Sequence, residues 1–428
     1  MTTASAPRFL RRRAAAALRS GDPDAAEDSG AAAAALAAGT VVAALLAAGA
    51  AALSLLRPAP TLPDAPIVMT ADTGALYVRI GELVHPVRNL TSARLITGST
   101  DPPRRIAAAA LREAGRGPLL GIPGAPDDPG IPLPAAGLTW TVCDGAASTV
   151  LIGEGRTGPD TAVLAAGPSG RLQLIADGHR HQVPVGDPGV TRALHLDGLR
   201  PRRVSAALLA LIPERPPLTA PVIPGAGGPG PAALGPAAVG DVLRTQRAGT
   251  TEYYLVLAGG VQRIGALAAD LVRFTSGRPD PGIGTVDPAA LAAVPTVGVL
   301  ALRELPDHLD AVAGAGPGEL CAAWTPGELR VWTGSRPAGV RPVRLAGADG
   351  PGPGVDAVGV PPGRSVYARD RAGRWLITDT GVRFGLDDEA TAALGLGDDP
   401  VPAPPGLIAA LPAGARLTRS AALVARDG

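Results

Sequence analysis

Hydrophobic positions along the chain follow two patterns. Between Gly30 and Leu56 they are continuous: the 27 residues GAAAAALAAGTVVAALLAAGAAALSLL carry no charge. As a helix this run is roughly 40 Å long, at about 1.5 Å per residue, against a bilayer hydrocarbon core of about 30 Å. Beyond it, apolar residues come in short alternating groups and short helical groups, cut by Gly and Pro. The pattern predicts one membrane-spanning helix at 30–56, a short arm before it and about 370 residues after it. A buried core helix and a cleaved signal peptide with an Ala-x-Ala site near Ala48–Ala50 are the alternatives. The length of the apolar part favours an uncleaved anchor.

After the run and the stiff Pro58-Ala59-Pro60 spacer, one pattern recurs four times: strand, Gly turn, strand, short helix, then a Pro-led tail. The copies begin at ALYVRIGELVHPV (75–87), RLQLIADGHRHQV (171–183), EYYLVLAGGVQRI (252–264) and RWLITDTGVRFGL (374–386). In the first, the helix carries Ala93, Leu95 and Ile96. The tails PPRRIAAAAL and RPRRVSAALL resemble each other closely, and each is expected to add a second short helix. Because an isolated hairpin is marginal in water, the helices should pack on the hairpins. Two inserts, 137–155 and 318–334, separate the copies. Each reads as two strands around a turn and pairs a Cys with a Trp three residues away: Trp140 with Cys143, and Cys321 with Trp324. The inserts are expected to meet in a central sheet.

The predicted fold is thus a single amino-terminal transmembrane helix plus an elongated α+β extracytoplasmic region. That region holds four hairpin/helix repeat modules around a central β-rich core, in two pseudo-symmetric halves. The divisions are a basic arm (1–29), the span (30–56), module 1 (57–132), core segment A (133–167) and module 2 (168–220). A Pro/Gly linker (221–238), module 3 (239–310), core segment B (311–360) and module 4 (361–428) complete the chain.

Charge sets the orientation. Arg8, Arg11, Arg12, Arg13 and Arg19 precede the span, and only Arg57 follows it closely, which puts the arm in the cytoplasm and the bulk outside. Within the arm, Phe9, Leu10, Ala14, Ala17 and Leu18 fit a short basic amphipathic helix or a disordered flank, ended by Pro23 and the acidic residues after it. Net charge is +1, which leaves no nucleic-acid footprint. The two cysteines then lie on the oxidising side, where a Cys143–Cys321 disulfide is favoured over buried free thiols.

Catalytic motifs are sparse. Every one of the 39 basic residues is Arg, so a Walker A loop, which requires Lys, does not exist here. Gly225, Gly227 and Gly230 satisfy G-x-G-x-x-G, but four prolines crowd the match, and it reads as linker. The acidic stretch Gly385–Asp388 with Glu389 lacks EF-hand spacing. His179 and His181 lie two apart on one strand face without a third metal ligand. No catalytic, cofactor-binding or metal residue is assigned.

Several long strings resemble one family. LLRP, GALYV-x-I-G-x-L-x-H-P-V-x-N-L-x-S-A-R-L-I-x-G (74–98), LLGIPGAPDD (119–128), W-x-V-C-D (140–144), 239–264 and 375–385 are similar to EccB, the bitopic core component of the actinobacterial type VII (ESX) secretion system. The resemblance covers nearly the whole chain. It implies four repeats around a core, an intramolecular disulfide, a rod-like extracytoplasmic part, and assembly with EccC, EccD and EccE into a hexameric membrane complex. The arm 1–29 departs from the family in being short and Ala-rich. The family is also described as an ATPase, so the structural reading stands beside two alternatives: an extracytoplasmic nucleotide hydrolase with ATP as cofactor, and a cell-wall-binding module.

Overall fold

The computed structural model describes residues 6–21, 25–56, 61–155, 157–184, 186–247, 249–277, 282–302, 305–309, 311–404 and 406–427. The Pro58-Ala59-Pro60 spacer and Pro23 lie outside the described residues. Two compact units result. One comprises 1–64 with 106–114, and the other 65–105 with 115–428.

The first unit contains two helices, Ala6–Ser20 and Ala25–Leu56. The apolar stretch Ala32–Leu53 of the second has a mean hydropathy of 2.1 and none of it is buried against protein. A core helix would bury such a face, so full exposure of uncharged Leu and Val argues against the buried-helix alternative. The helix starts five residues before the uncharged run. In this unit 106–114 contributes a 3-10 turn, Ala108–Leu111, where a second α-helix was expected in the first tail.

The second unit is built from five sheets. Four of them contain the recurring hairpins, each followed by a short helix. In the first, Leu76–Ile80 pairs with Leu83–Val87 through a two-residue turn that opens with Gly81 at φ 60°, a left-handed conformation that Gly adopts freely. The helix Leu90–Thr97 follows directly. Asn89 Oδ1 accepts the Ser92 amide at 2.8 Å to start it, and left-handed Gly98 stops it. Ala93, Leu95 and Ile96 on its inner face are buried. The other three helices, Pro188–Ala193, Ala266–Thr275 and Asp388–Ala393, follow their hairpins in the same way. Asp187 and Asp387 cap two of them.

Four details differ from the sequence reading. Each hairpin has a third antiparallel strand just before it: Ile67–Thr70, Val163–Ala166, Val242–Arg247 and Arg364–Asp370. Val163–Ala166 therefore belongs to the second module's sheet and not to core segment A. Ile131–Pro132, placed in module 1, runs parallel to Arg364–Asp370 in the fourth sheet. The Pro/Gly segment 221–238 is no free linker. Its Gly230 amide donates to the Ala237 carbonyl, Gly227 and Gly228 bond Val239, and Leu234 packs with Val256 and Val261 of the third sheet. At Gly230 any side chain would meet the Ala237 carbonyl, so this glycine serves packing, not phosphate binding.

The four small sheets share cores in pairs. Leu95 and Ile96 of the first pack with Leu376, Phe384, Leu394 and Leu417 of the fourth. Val190 and Leu194 of the second pack with Leu267 and Leu271 of the third. At about 1.5–3 kcal/mol per fully buried Leu or Ile, each shared core supplies the burial that one hairpin and one short helix lack.

Candidate functional site

The central sheet has six strands. The first insert forms the hairpin Thr139–Asp144 with Ser148–Gly153, and the second forms Glu319–Thr325 with Glu328–Gly334. The two hairpins join through their first strands, antiparallel, in a register that sets Cys143 opposite Cys321 and Trp140 opposite Trp324. Ala357–Gly359 adds parallel to Ser148–Gly153, and Val343–Arg344 completes the order.

Strand alternation sorts the side chains by face. Trp140, Val142, Leu320 and Ala322 point to one side, into the largest core of the molecule. Trp140 is fully buried, and its Nε1 donates to the Pro402 carbonyl of the fourth module at 3.1 Å. On the other face the Sγ atoms of Cys143 and Cys321 form a disulfide closing a separation of 178 residues. The pair is buried and packs with Ala323 and Trp332.

Sequence reading passed over Trp332. Trp140 and Trp324 are three residues from a cysteine and so face away from the sulfurs. Trp332 is opposite Cys321 in register and packs in one cluster with both cysteines. The alternation within Glu328–Gly334 was the available signal.

Charged side chains tie neighbouring elements to this sheet. Arg202 is buried; its Nη1 donates to the Gly318 carbonyl at 2.8 Å and its Nη2 to Gly316 at 2.9 Å, just before the strand that carries Cys321. Its counterparts in the first tail, Arg104 and Arg105, are exposed, so the likeness of the two tails does not extend to this clamp. Arg336 reaches Glu319 with two nitrogens and donates to Thr149 Oγ1 at 3.2 Å, bridging both inserts. Among the described residues, Cys143, Cys321 and Glu319 are the one group with ligand atoms close enough for a metal, and its sulfurs are bonded to each other.

The histidine pair does not converge. His179 Nδ1 donates to the Asp177 carbonyl, and Arg215 donates to its Nε2. His181 is buried and donates from Nδ1 to the Pro216 carbonyl at 3.0 Å. Burial, which penalises the cation, pushes the His181 imidazole below its usual 6.5, and the nearby His179 and Arg215 act in the same direction. The sign follows: the unfolded chain binds a proton more readily than the folded one. This contribution to stability is therefore intact above about 6.5 and falls as pH drops from there toward the lowered value. The denaturant midpoint should fall between neutral pH and about pH 5, and His181→Gln should remove part of that dependence. An unchanged pH profile in the variant would assign the loss to other groups.

Comparison with known proteins gives the frame for this geometry. The family model described as "Type VII secretion system ESX-1, transport TM domain B" matches residues 2–428. The chain belongs to the EccB family of type VII secretion. It is 36% identical over 417 residues to the ESX-3 secretion system ATPase EccB3 of Mycolicibacterium smegmatis, covering 87% of this chain and 80% of that protein. Against the ESX-5 secretion system ATPase EccB5 of Mycobacterium tuberculosis it is 34% identical, with 87% and 83% covered. A chain of the intact ESX-5 inner membrane complex superposes with a TM-score of 0.72 at 33% identity, covering 100% of this chain and 96% of that one. The EccB3 dimer from the ESX-3 core complex gives 0.74 at 34% identity over 84% of this chain and 100% of that one.

Proposed function

We propose that this protein is a bitopic structural subunit of a type VII (ESX) inner-membrane secretion complex, holding partners in register across the envelope. The observation that carries the reading is the match of the whole chain to a subunit of a solved ESX-5 inner membrane complex. The Arg asymmetry around the span places the amino terminus in the cytoplasm and the five-sheet unit outside. Partners in this reading are EccC, EccD and EccE, in a hexameric assembly. Two similar halves account for the internal packing. If 57–220 and 239–428 are related by a two-fold axis through the central sheet, contact of the first module with the fourth implies contact of the third with the second. Both contacts are present.

The relatives' names carry a second reading, that of an ATPase. Phosphoryl transfer rests on positioned cations around a phosphate cradle. A chain without Lys has no P-loop, and its one glycine-rich match packs against a strand. We therefore assign the protein a scaffold role without chemistry of its own. The deciding experiment is deletion complemented by an amino-terminally tagged copy. Loss of the protein should abolish export and dissolve the membrane complex on blue-native gels. In spheroplasts, protease should remove the large unit and spare the tag. Export surviving deletion, a protected large unit, or ATP hydrolysis by the purified full-length protein would each count against the reading.

A further inference from the structure

Helix Ala6–Ser20 ends before the helix that holds the span begins. Gly21 stops it. The Gly21 amide donates to the Ala17 carbonyl at 2.9 Å, and its φ of 74° is left-handed, so the chain can turn there. The helix carries five arginines and no acidic residue. At about 100° per residue, Arg8, Arg11, Arg12 and Arg19 fall in one arc of about 100°, and Leu10, Ala14, Ala17 and Leu18 in the arc beside it. Arg13 stands outside the cationic arc and has an interaction of its own. Leu10 is 63% exposed and Leu18 89%, so protein does not cover the apolar face. Fifteen residues make roughly 22 Å of helix, too short to cross a hydrocarbon core of about 30 Å. Asp22, Asp24, Glu27 and Asp28 follow, which nearly balance the arginines over 1–29. What distinguishes this helix is therefore the segregation of cations onto one side of it, not the net charge of the arm.

We infer that helix Ala6–Ser20 lies in the plane of the membrane surface, bound to anionic phospholipid. Its leucine face enters the boundary between headgroups and acyl chains, and its arginine face pairs with lipid phosphates. Amphipathic helices with apolar and Arg-rich faces bind in this way. A guanidinium offers a phosphate two parallel N–H donors, which suits a chain whose basic residues are all Arg. Reach decides the occupant. The apolar stretch begins at Ala32. The helical residues 25–31 before it rise about 10 Å, close to the depth of a headgroup layer. Residues 21–24 extend to at most about 13 Å. The bilayer surface is thus always within reach of the arm. Helix and span together form a bent anchor, which fixes the depth and rotation of the span. The inference rests on the reading of 30–56 as a membrane span, and the leaflet involved follows from its orientation.

The test uses full-length protein reconstituted into vesicles, with an environment-sensitive fluorophore on Ala14→Cys or, separately, on Ala15→Cys. These neighbours are both exposed and lie at the centres of the apolar and cationic arcs, while the native cysteines stay in their buried disulfide. In vesicles rich in phosphatidylglycerol, the label at position 14 should resist aqueous acrylamide about fivefold better than the label at 15, and lipid-borne nitroxide should quench it. In pure phosphatidylcholine, or with Arg8→Gln and Arg12→Gln combined, the contrast should shrink toward one. Equal quenching at both positions in the anionic vesicles would overturn the proposal. So would a contrast that is the same in phosphatidylcholine, or one that appears only when other subunits of the complex are present, which would assign the face to a protein. Symmetric vesicles carry the same lipid on both sides, so these outcomes do not depend on orientation, which the protease experiment reads. Extraction of the protein by alkaline carbonate would instead refute the span, and the inference with it.

Discussion

Replacing both Cys143 and Cys321 with Ala is expected to lower the unfolding free energy by about 5 kcal/mol, the chain-entropy value for a closed loop of this length. The bond spans 178 residues and, with two cysteines in the chain, is its one possible disulfide. The folded state itself should persist. Five residue pairs, from Leu320–Asp144 to Trp324–Trp140, hold the two inserts in register without the sulfurs. The loss therefore arises mainly in the unfolded chain, which gains freedom when the cross-link is absent. A second signature follows from that origin: the less constrained unfolded state exposes more surface, so the denaturant slope should steepen as the midpoint falls. Urea unfolding followed by circular dichroism, with and without reductant, checks both. If wild-type protein unfolds identically under reducing and oxidising conditions, the bond is either not formed or does not constrain the chain. Non-reducing peptide mapping would separate these two cases.

The second large effect is expected at Trp140. Truncation to Ala should cost about 3–5 kcal/mol, the range for deleting a buried Trp side chain and leaving the cavity. The site offers little room to collapse, because Trp140 is fully buried among strands fixed on both sides, with Val142, Ile152 and Leu320 in the same core. The change also strips the Pro402 carbonyl of its Nε1 donor, and with it a direct bond between the central sheet and the fourth module. Trp140→Phe keeps most of the volume and removes the bond, so it should cost about 1–2 kcal/mol. Unfolding midpoints of the two variants would check this. A Phe variant as damaged as the Ala variant would mean that the bond, not the packing, dominates.

The residues that made the span and the hairpins legible are local. Twenty-seven uncharged residues at 30–56 need no partner to declare a membrane-length helix. A two-residue turn such as Asp177–Gly178 between alternating strands fixes its hairpin through backbone conformation alone, with both turn residues at positive φ. The Cys and Trp pairs went further, because two cysteines in two similar inserts allow one pairing, and the sheet brings them together.

Other features were decided only by tertiary structure. Ile131–Pro132 joins a strand more than 230 residues later, and its own sequence does not say which edge it will meet. The pairing of first module with fourth and second with third depends on how helix faces of similar Ala/Leu composition fit each other, a contrast that short apolar patterns do not encode. Arg202 and Arg104 sit in nearly identical tails, yet only Arg202 finds carbonyls at Gly316 and Gly318 within reach. Trp332 was silent for the same reason. Periodicity reports which side of a strand a residue takes. What lies across from it is set by long-range packing, where shape and unmet hydrogen bonds, not local propensity, select the partner.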